Sequence, residues 1–205
     1  MKTYSGWDDL YRLADDRCDV YLEPLQVFHL DVLWQAAENK IIWEYTYKKL
    51  HNYSKFKDTI DEAIRLNRNG EEKAFAICLN NGTPIGATRI KKLSKEHLRV
   101  EIGDTWLSPV WQRTFVNTQA KFLLLTHAFD VMKCIRVEFK TDIKNIVSRN
   151  AILRLGATED GVFRNHMILS DGSFRDTIYF SIISNNWSII KDQLCEKLSC
   201  QTLPL

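Results

Sequence analysis

Apolar residues along this chain recur with two different periods. Between Leu25 and Asn39 they fall at Leu25, Phe28, Val32, Leu33 and Ala36, and between Ser54 and Asn69 at Phe56, Ile60, Ala63, Ile64 and Leu66. Spacings of three and four collect such residues on one side of a helix, so two amphipathic helices are predicted, the second opened by Ser54 and closed before Gly70. A short strand is expected ahead of them at Val20 to Pro24. Lys73 to Leu79 and Pro84 to Lys92 then flank Asn80-Asn81-Gly82-Thr83, an asparagine–glycine turn of the hairpin type, and Leu98 to Leu107 forms a third consecutive strand. After that, strands and helices alternate: helix Asn117 to Met132, strand Ile135 to Lys140, helix 145 to 155, then strands Thr158 to Leu169 and Phe174 to Ile183 joined at Asp171-Gly172. This order predicts a mixed α/β (α+β) chain, a sheet flanked by helices, with Trp187 to Leu205 as a terminal helix and frayed end.

Two of the predicted corners carry chemistry. At Trp106-Leu107-Ser108-Pro109 a strand is stopped by proline, and a short polar loop leads into the helix of Asn117 to Met132. The first N–H groups of a helix have no partner inside it and lie at the positive end of its dipole, so such a corner suits a phosphate. Some thirty residues on, the strand ending near Lys140 passes into a second helix, with Asn145 placed to cap it and Gly156 to end it. Two corners of this kind can grip one phosphorylated cofactor.

Composition narrows the class. The chain has 205 residues, 45% hydrophobic and 26% charged, with no repeat, low-complexity stretch or linker, so a single domain spanning 1–205 with a substantial core is expected. A formal charge of +2, from 28 basic and 26 acidic residues, gives no footprint for nucleic acid. The pairs Lys48-Lys49 and Lys91-Lys92 read as solvated faces. Met1 to Asp19 lacks the apolar core of a signal peptide, and charges or amides interrupt every apolar run, so a cytoplasmic protein without membrane contact is expected. The five cysteines, Cys18, Cys78, Cys134, Cys195 and Cys200, are scattered without a Cys-x-x-Cys pair and read as reduced thiols; Cys134, in apolar surroundings, reads as a core residue. The histidines His29, His51, His97, His127 and His166 are not paired with cysteines at ligand spacing, so no metal is expected.

Several short motifs fall in a telling order: Glu101-Ile102-Gly103, Trp106-Leu107, the Gln112 loop, Arg136-Val137, Asn145-x-x-Ser148, Leu155-Gly156-Ala157, Asp171-Gly172, Arg175-Asp176 and Ser181-Ile182-Ile183. Together they resemble the GNAT N-acetyltransferase superfamily, in particular its ribosomal-protein alanine acetyltransferase (RimJ/RimL-like) branch, over roughly Val20 to Trp187, with 188–205 as helix and tail. The resemblance implies about seven strands with a splayed central pair, acetyl-CoA as co-substrate lying in the opening, and no metal. It places the pyrophosphate on backbone N–H groups of Gln112, Arg113, Thr114, Phe115, Val116 and Asn117, and the oxyanion and pantetheine contacts on the strand at Trp106 and Leu107. Phe115 and Asn117 stand where the family has glycines, so this loop is expected to present its N–H groups without glycine's freedom, with the Phe115 ring turned into the protein or over the cofactor.

Acetyl transfer to an amine demands a neutral nucleophile, a stabilised oxyanion and a proton for the departing thiolate. Glu101 matches the family's strand glutamate as the base, and His166 in Arg164-Asn165-His166 is its rival. The tyrosine that many relatives use as the acid falls here at Ile152, which makes Ser148 the candidate near the sulfur, acting through a hydrogen bond or a water. Asn145 is expected to meet the pantetheine amides or simply to cap its helix. Trp34, Trp43, Tyr45 and Tyr47 fall in the segment that covers the acceptor groove, although aromatics at these spacings are more often core, and Arg175-Asp176 reads as an ion pair across the sheet or, failing that, as a pair that orients the acceptor. The expected partner is an amine acceptor, a protein N-terminus or a small molecule, used by a monomer or homodimer. The alternatives are a catalytically inactive acetyl-CoA-binding or interaction module of the same fold and, more distantly, a binding protein for another nucleotide.

Overall fold

Strands predicted at opposite ends of the sequence meet in one sheet. A computed structural model, describing residues 5–46, 49–50 and 52–199, contains β1 (Val20–Pro24), β2 (Lys73–Leu79), β3 (Pro84–Ser94), β4 (Arg99–Leu107), β5 (Arg136–Asp142), β6 (Thr158–Ile168) and β7 (Phe174–Ile183). They form a seven-stranded sheet in the order β1-β2-β3-β4-β5-β7-β6. All neighbours are antiparallel except β4 and β5, whose connection runs through the helix α3 (Val116–Thr126), as a parallel crossover requires.

The parallel pair is also where the sheet opens. β4 and β5 are paired only at Arg99–Glu101 against Arg136–Glu138. Just beyond, β4 takes three steps, Gly103 to Trp106, while β3 takes two, Arg89 to Ala87. This extra residue is a bulge, with Asp104 in the left-handed region at φ +50°, and it bends β4 away from β5.

Each face of the sheet has its own core. Phe75 and Ile77 of β2 point to the face covered by α3, α4 (Ile146–Arg154) and α5 (Ser184–Ser199), while the intervening Ala74, Ala76 and Cys78 point to the face covered by α1 (Leu30–Ala37) and α2 (Tyr53–Arg68). On β4 and β3 the same alternation puts Glu101 with its partner Lys91 on the α1–α2 face, whereas Thr88, opposite Phe75, lies on the α3 face. No described helix is long and apolar enough to cross a membrane.

The first predicted helix is shorter than its apolar spacing suggests. Val27–His29 is a 3₁₀ turn, the Gln26 N–H donates to His29 Nδ1 at 3.1 Å, and the α-helix begins only at Leu30. Its buried stripe is Leu30, Leu33 and Ala37, leaving Phe28 71% exposed. The second helix is capped by Asn52, whose side chain accepts the Ser54 N–H, rather than by Ser54. The helix of Asn117 to Met132 is α-helical to Thr126 and widens into a π turn over His127–Val131. The residues before β1 also join the core, with Trp7 buried and its Nε1 donating to the Met132 carbonyl, an attachment that short-range patterns do not reveal. Residues 200–205 of the predicted tail, with Cys200, lie outside the described residues.

Candidate active site

A cavity of about 660 Å³ occupies the divergence of β4 and β5. Its lining extends from Trp43 and Phe56 on the α1–α2 side, past Trp106 and Leu107, to Asn117, Asn145 and Ser148 where α3 and α4 begin. Both corners singled out from sequence therefore border one space.

The corner at α3 is open. Phe115 is the N-cap, has no side-chain acceptor, and leaves the first N–H groups of the helix, those of Asn117 and Thr118 among them, without partners inside it. Val116 N–H reaches only the Thr114 hydroxyl, at 3.4 Å. The loop ahead is braced instead: Gln112 Nε2 donates to the Leu107 carbonyl at 3.1 Å, and the Thr114 hydroxyl to the Trp111 carbonyl at 2.7 Å. The conformational demand expected at the replaced glycines is absent there. Phe115 is right-handed at φ −73°, Asn117 is within α3, and the left-handed residue is Arg113 at φ +61°. Gln112, Arg113, Thr114 and Asn117 line the cavity, whereas half-buried Phe115 and buried Val116 do not.

The corner at α4 is closed by its own side chain. Asn145 Oδ1 accepts the Ser148 N–H at 2.9 Å, so Asn145 caps the helix while also lining the cavity. Asp142 braces the turn by accepting the Lys144 N–H at 2.9 Å. The Ser148 hydroxyl makes no hydrogen bond among the described residues and borders the cavity, as does Ile152, which also packs into the α3-side core.

On the opposite side of the sheet the wall is charged. Glu101 is fully buried, with Lys92 at 3.0 Å, Lys140 at 3.1 Å and Lys91 at 3.8 Å. Its oxygens meet these ammonium groups without hydrogen-bond angles. Lys91 is thus not on a solvated face, whereas the Lys92 side chain stays 55% exposed; Lys91 also reaches Asp104 at 3.0 Å, and the lysines compensate a buried carboxylate. Burial pulls the Lys140 pKa below its ordinary value, against the attraction of Glu101. Of the other basic pair, Lys49 donates to the Trp43 and Glu44 carbonyls, and Lys48 lies outside the described residues.

His166 is on exposed β6, outside the cavity lining, with ring centroids 5.5 Å from Phe163 and 5.8 Å from Tyr179. Partial burial, then the nearby Lys140 charge, lower its pKa. The structure therefore brings Glu101 and Ser148 to one cavity and leaves His166 beside it.

Aromatic residues form the outer part of the groove. Trp43 and Phe56 pack against Trp106 with ring centroids at 5.6 and 5.9 Å, and half-exposed Tyr45 borders the opening. Trp34 packs behind them on Phe56, and Tyr47 lies outside the described residues. Arg175 lines the cavity and makes an ion pair across the sheet, its Nε 3.9 Å from Asp142 of β5, while Asp176 accepts the Asn165 N–H at 2.7 Å.

One cavity residue escaped the sequence reading. Lys121, on α3, is only 6% exposed, and its Nζ donates to the Thr105 hydroxyl, itself 2.8 Å from the Thr88 hydroxyl. Burial pulls its pKa down to about 7 despite the Asp104 charge. The available signal was its place one turn after Asn117, in a helix otherwise committed to the core.

Among the described residues, Glu23, His29 and Cys78 come together in a way that sequence spacing hides. His29 Nδ1 already accepts the Gln26 N–H and Nε2 lies 3.1 Å from Glu23, so a metal on Nε2 would require an imidazolate; burial also lifts the Cys78 pKa to about 11. This donor set suits a hydrogen-bonded histidine. Cys134 is buried, and burial pushes its pKa to about 12, which fits an inert core thiol.

Comparison with known proteins agrees with this architecture. Residues 19–158 match the family described as the acetyltransferase (GNAT) domain. A Bacillus subtilis protein named "Putative ribosomal N-acetyltransferase YdaF" is 27% identical over 109 residues, 53% of this chain and 58% of that relative's length. A GCN5-related N-acetyltransferase from Brucella melitensis superposes with a TM-score of 0.84 at 25% identity, covering 93% of this chain and 86% of the other. RimJ of Mycobacterium smegmatis, solved in complex with CoA-disulfide, shares the fold at a TM-score of 0.79 and 18% identity, covering 96% of this chain and 98% of the other.

Proposed function

Because the chain belongs to the GNAT acetyltransferase family, we propose that it is an acetyl-CoA-dependent N-acetyltransferase in which a primary amine attacks the thioester directly. The observation carrying this reading is the cavity through the divergence of β4 and β5, bordered at one end by the uncapped start of α3 and at the other by an aromatic, charged groove. The N–H groups of the first α3 turn suit a pyrophosphate, and the exposed Arg113 lies beside them. The main chain at Trp106 and Leu107, the Asn145 amide and Ser148 suit the pantetheine arm. The acceptor enters from the α1–α2 side, so that its amine meets the thioester at the β4 bulge.

Direct attack requires the amine to shed a proton. Glu101 faces the same groove and is preferred to His166 for this role because it lines the cavity. Its charge is balanced by three lysines, so a positively charged acceptor amine competes with ammonium groups already present. The name of the Bacillus subtilis relative makes a ribosomal protein N-terminus the first acceptor class to test.

The test is release of CoA thiol from acetyl-CoA in the presence of peptides with free N-termini and a panel of small amines, with acetylated products identified by mass spectrometry. Saturable transfer is expected, and Glu101→Gln should lower kcat/KM about 10²-fold or more. Stabilisation by CoA without turnover on any acceptor would favour the inactive binding module that Phe115 and Ile152 motivate. Failure of CoA to raise the melting temperature would sink both readings.

A further inference from the structure

We infer that Lys121 is the acid that protonates the departing thiolate, taking the place left by a phenol where this chain has Ile152. The inference rests on the proposed acetyl transfer and assigns a proton donor within that same site.

Three observations converge on it. Lys121 and Ile152 line one cavity, so a donor on α3 can serve a space to which Ile152 contributes no acidic proton. The Lys121 Nζ is tied to Thr105, which sits in the β4 bulge where the sheet opens. It also reaches the bulge from the face that carries α3, α4 and α5, opposite the face of Glu101. With the amine arriving from the α1–α2 side, the base and the acid are held on opposite faces of the sheet.

Packing gives no reason for an ammonium here. Lys121 is itself among the buried residues of α3, and burying a cation is costly. The charge acting on it is that of Asp104, engaged with Lys91 at 3.0 Å and Arg89 at 3.9 Å; Arg113, Glu101, Lys140, Arg154 and Arg175 border the same cavity. The resulting pKa of about 7 keeps a transferable proton available near neutrality.

The acceptor nitrogen bonds to the carbonyl carbon, the C–S bond breaks with its electron pair going to sulfur, and sulfur takes a proton from the Lys121 ammonium. The acceptor's own proton passes to Glu101 on the α1–α2 side and from it to solvent, and neutral Lys121 regains a proton from solvent after CoA departs.

The decisive variants are Lys121→Met, which keeps length and removes the amine, and Lys121→Arg, which keeps charge but holds its proton. With the identified acceptor, Lys121→Met should lower kcat about 10²-fold or more while the KM for acetyl-CoA changes less than about threefold. The wild-type kcat should fall as pH rises above about 7, and this limb should be absent from Lys121→Met. Lys121→Arg should not restore the rate. With an acetyl arylthiol donor, whose thiolate leaves without a proton, wild type and Lys121→Met should react alike. Lys121→Met should also melt at or above the wild-type temperature, which separates lost chemistry from lost folding. An unchanged alkaline limb in Lys121→Met, an equal deficit with both donors, or stable acetylation of Lys121 itself would overturn the assignment. Absence of transfer by the wild-type chain overturns the functional reading beneath it.

Discussion

At the start of α3 the N-cap is Phe115, with no side-chain acceptor, and the left-handed strain sits at Arg113, φ +61°. At the start of α4 the N-cap is Asn145, whose oxygen lies 2.9 Å from the Ser148 N–H. Both corners are strand-to-helix junctions on the same cavity, yet one leaves backbone donors open and the other satisfies one itself. A helix end left uncapped next to a cavity forgoes the stability that a cap contributes, about 1 kcal/mol. The donors it exposes are then available to a ligand. The α3 corner therefore suits an anion, and the α4 corner suits the neutral pantetheine arm.

The largest expected effect lies on the α3 side, where Lys121 adds a buried cation that α4 lacks. The unfolded chain holds the lysine proton up to about 10.5, whereas the folded chain releases it near 7. Between these values the unfolded state binds more protons, so the group makes stability rise with pH through that window. Lys121→Met should flatten this rise in urea denaturation from neutral to alkaline pH, and a slope equal to that of wild type would show the amine to be solvated.

Asn117→Glu should come next. A carboxylate in the first turn of α3 favours the helix dipole but repels a pyrophosphate, so CoA should bind at least about tenfold more weakly, ~1.4 kcal/mol, in calorimetry while the apo protein stays as stable as wild type. Unchanged affinity would remove the anion from this corner. At the other corner, Asn145→Ala should cost about 1 kcal/mol of stability through the lost cap and weaken CoA less than Asn117→Glu does, since only a neutral contact is lost. A large loss of affinity there would erase the contrast between the corners. The smallest effect is expected at Phe115. Because its backbone is right-handed and its ring is off the cavity, Phe115→Gly should leave CoA affinity within about twofold of wild type. Loss of binding by a folded Phe115→Gly protein would mean that the ring contacts the ligand.

The two corners also separate what local patterns reveal from what they hide. Asn145 as a cap, the helix behind it and the Asn80–Thr83 hairpin are legible because each depends on residues a few positions apart. The substitution of Phe115 and Asn117 for glycines is equally plain in the sequence, but its consequence is not. Only the folded loop shows that the unusual dihedral moved to Arg113, since the path of a loop is set by both of its ends. For the same reason apolar spacing placed Phe28 inside a helix face, while the 3₁₀ turn at Val27–His29 rotated it to the surface.

The alternation of apolar and polar residues by itself determined the identity and order of the strands and principal helices of this protein, because those periods reflect one buried face per element. That Glu101 and Ser148 would border an opening sheet came instead from the order of short motifs that resembles the GNAT superfamily. Tertiary structure alone decided that Glu101 meets Lys91, Lys92 and Lys140, that His166 stays beside the cavity, and that Lys121 enters it. Those outcomes depend on the one-residue bulge in β4 and on the crossing of α3 over the sheet, which bring together residues far apart in the chain. Charges brought together in this way act on one another across a space whose shape no local period encodes.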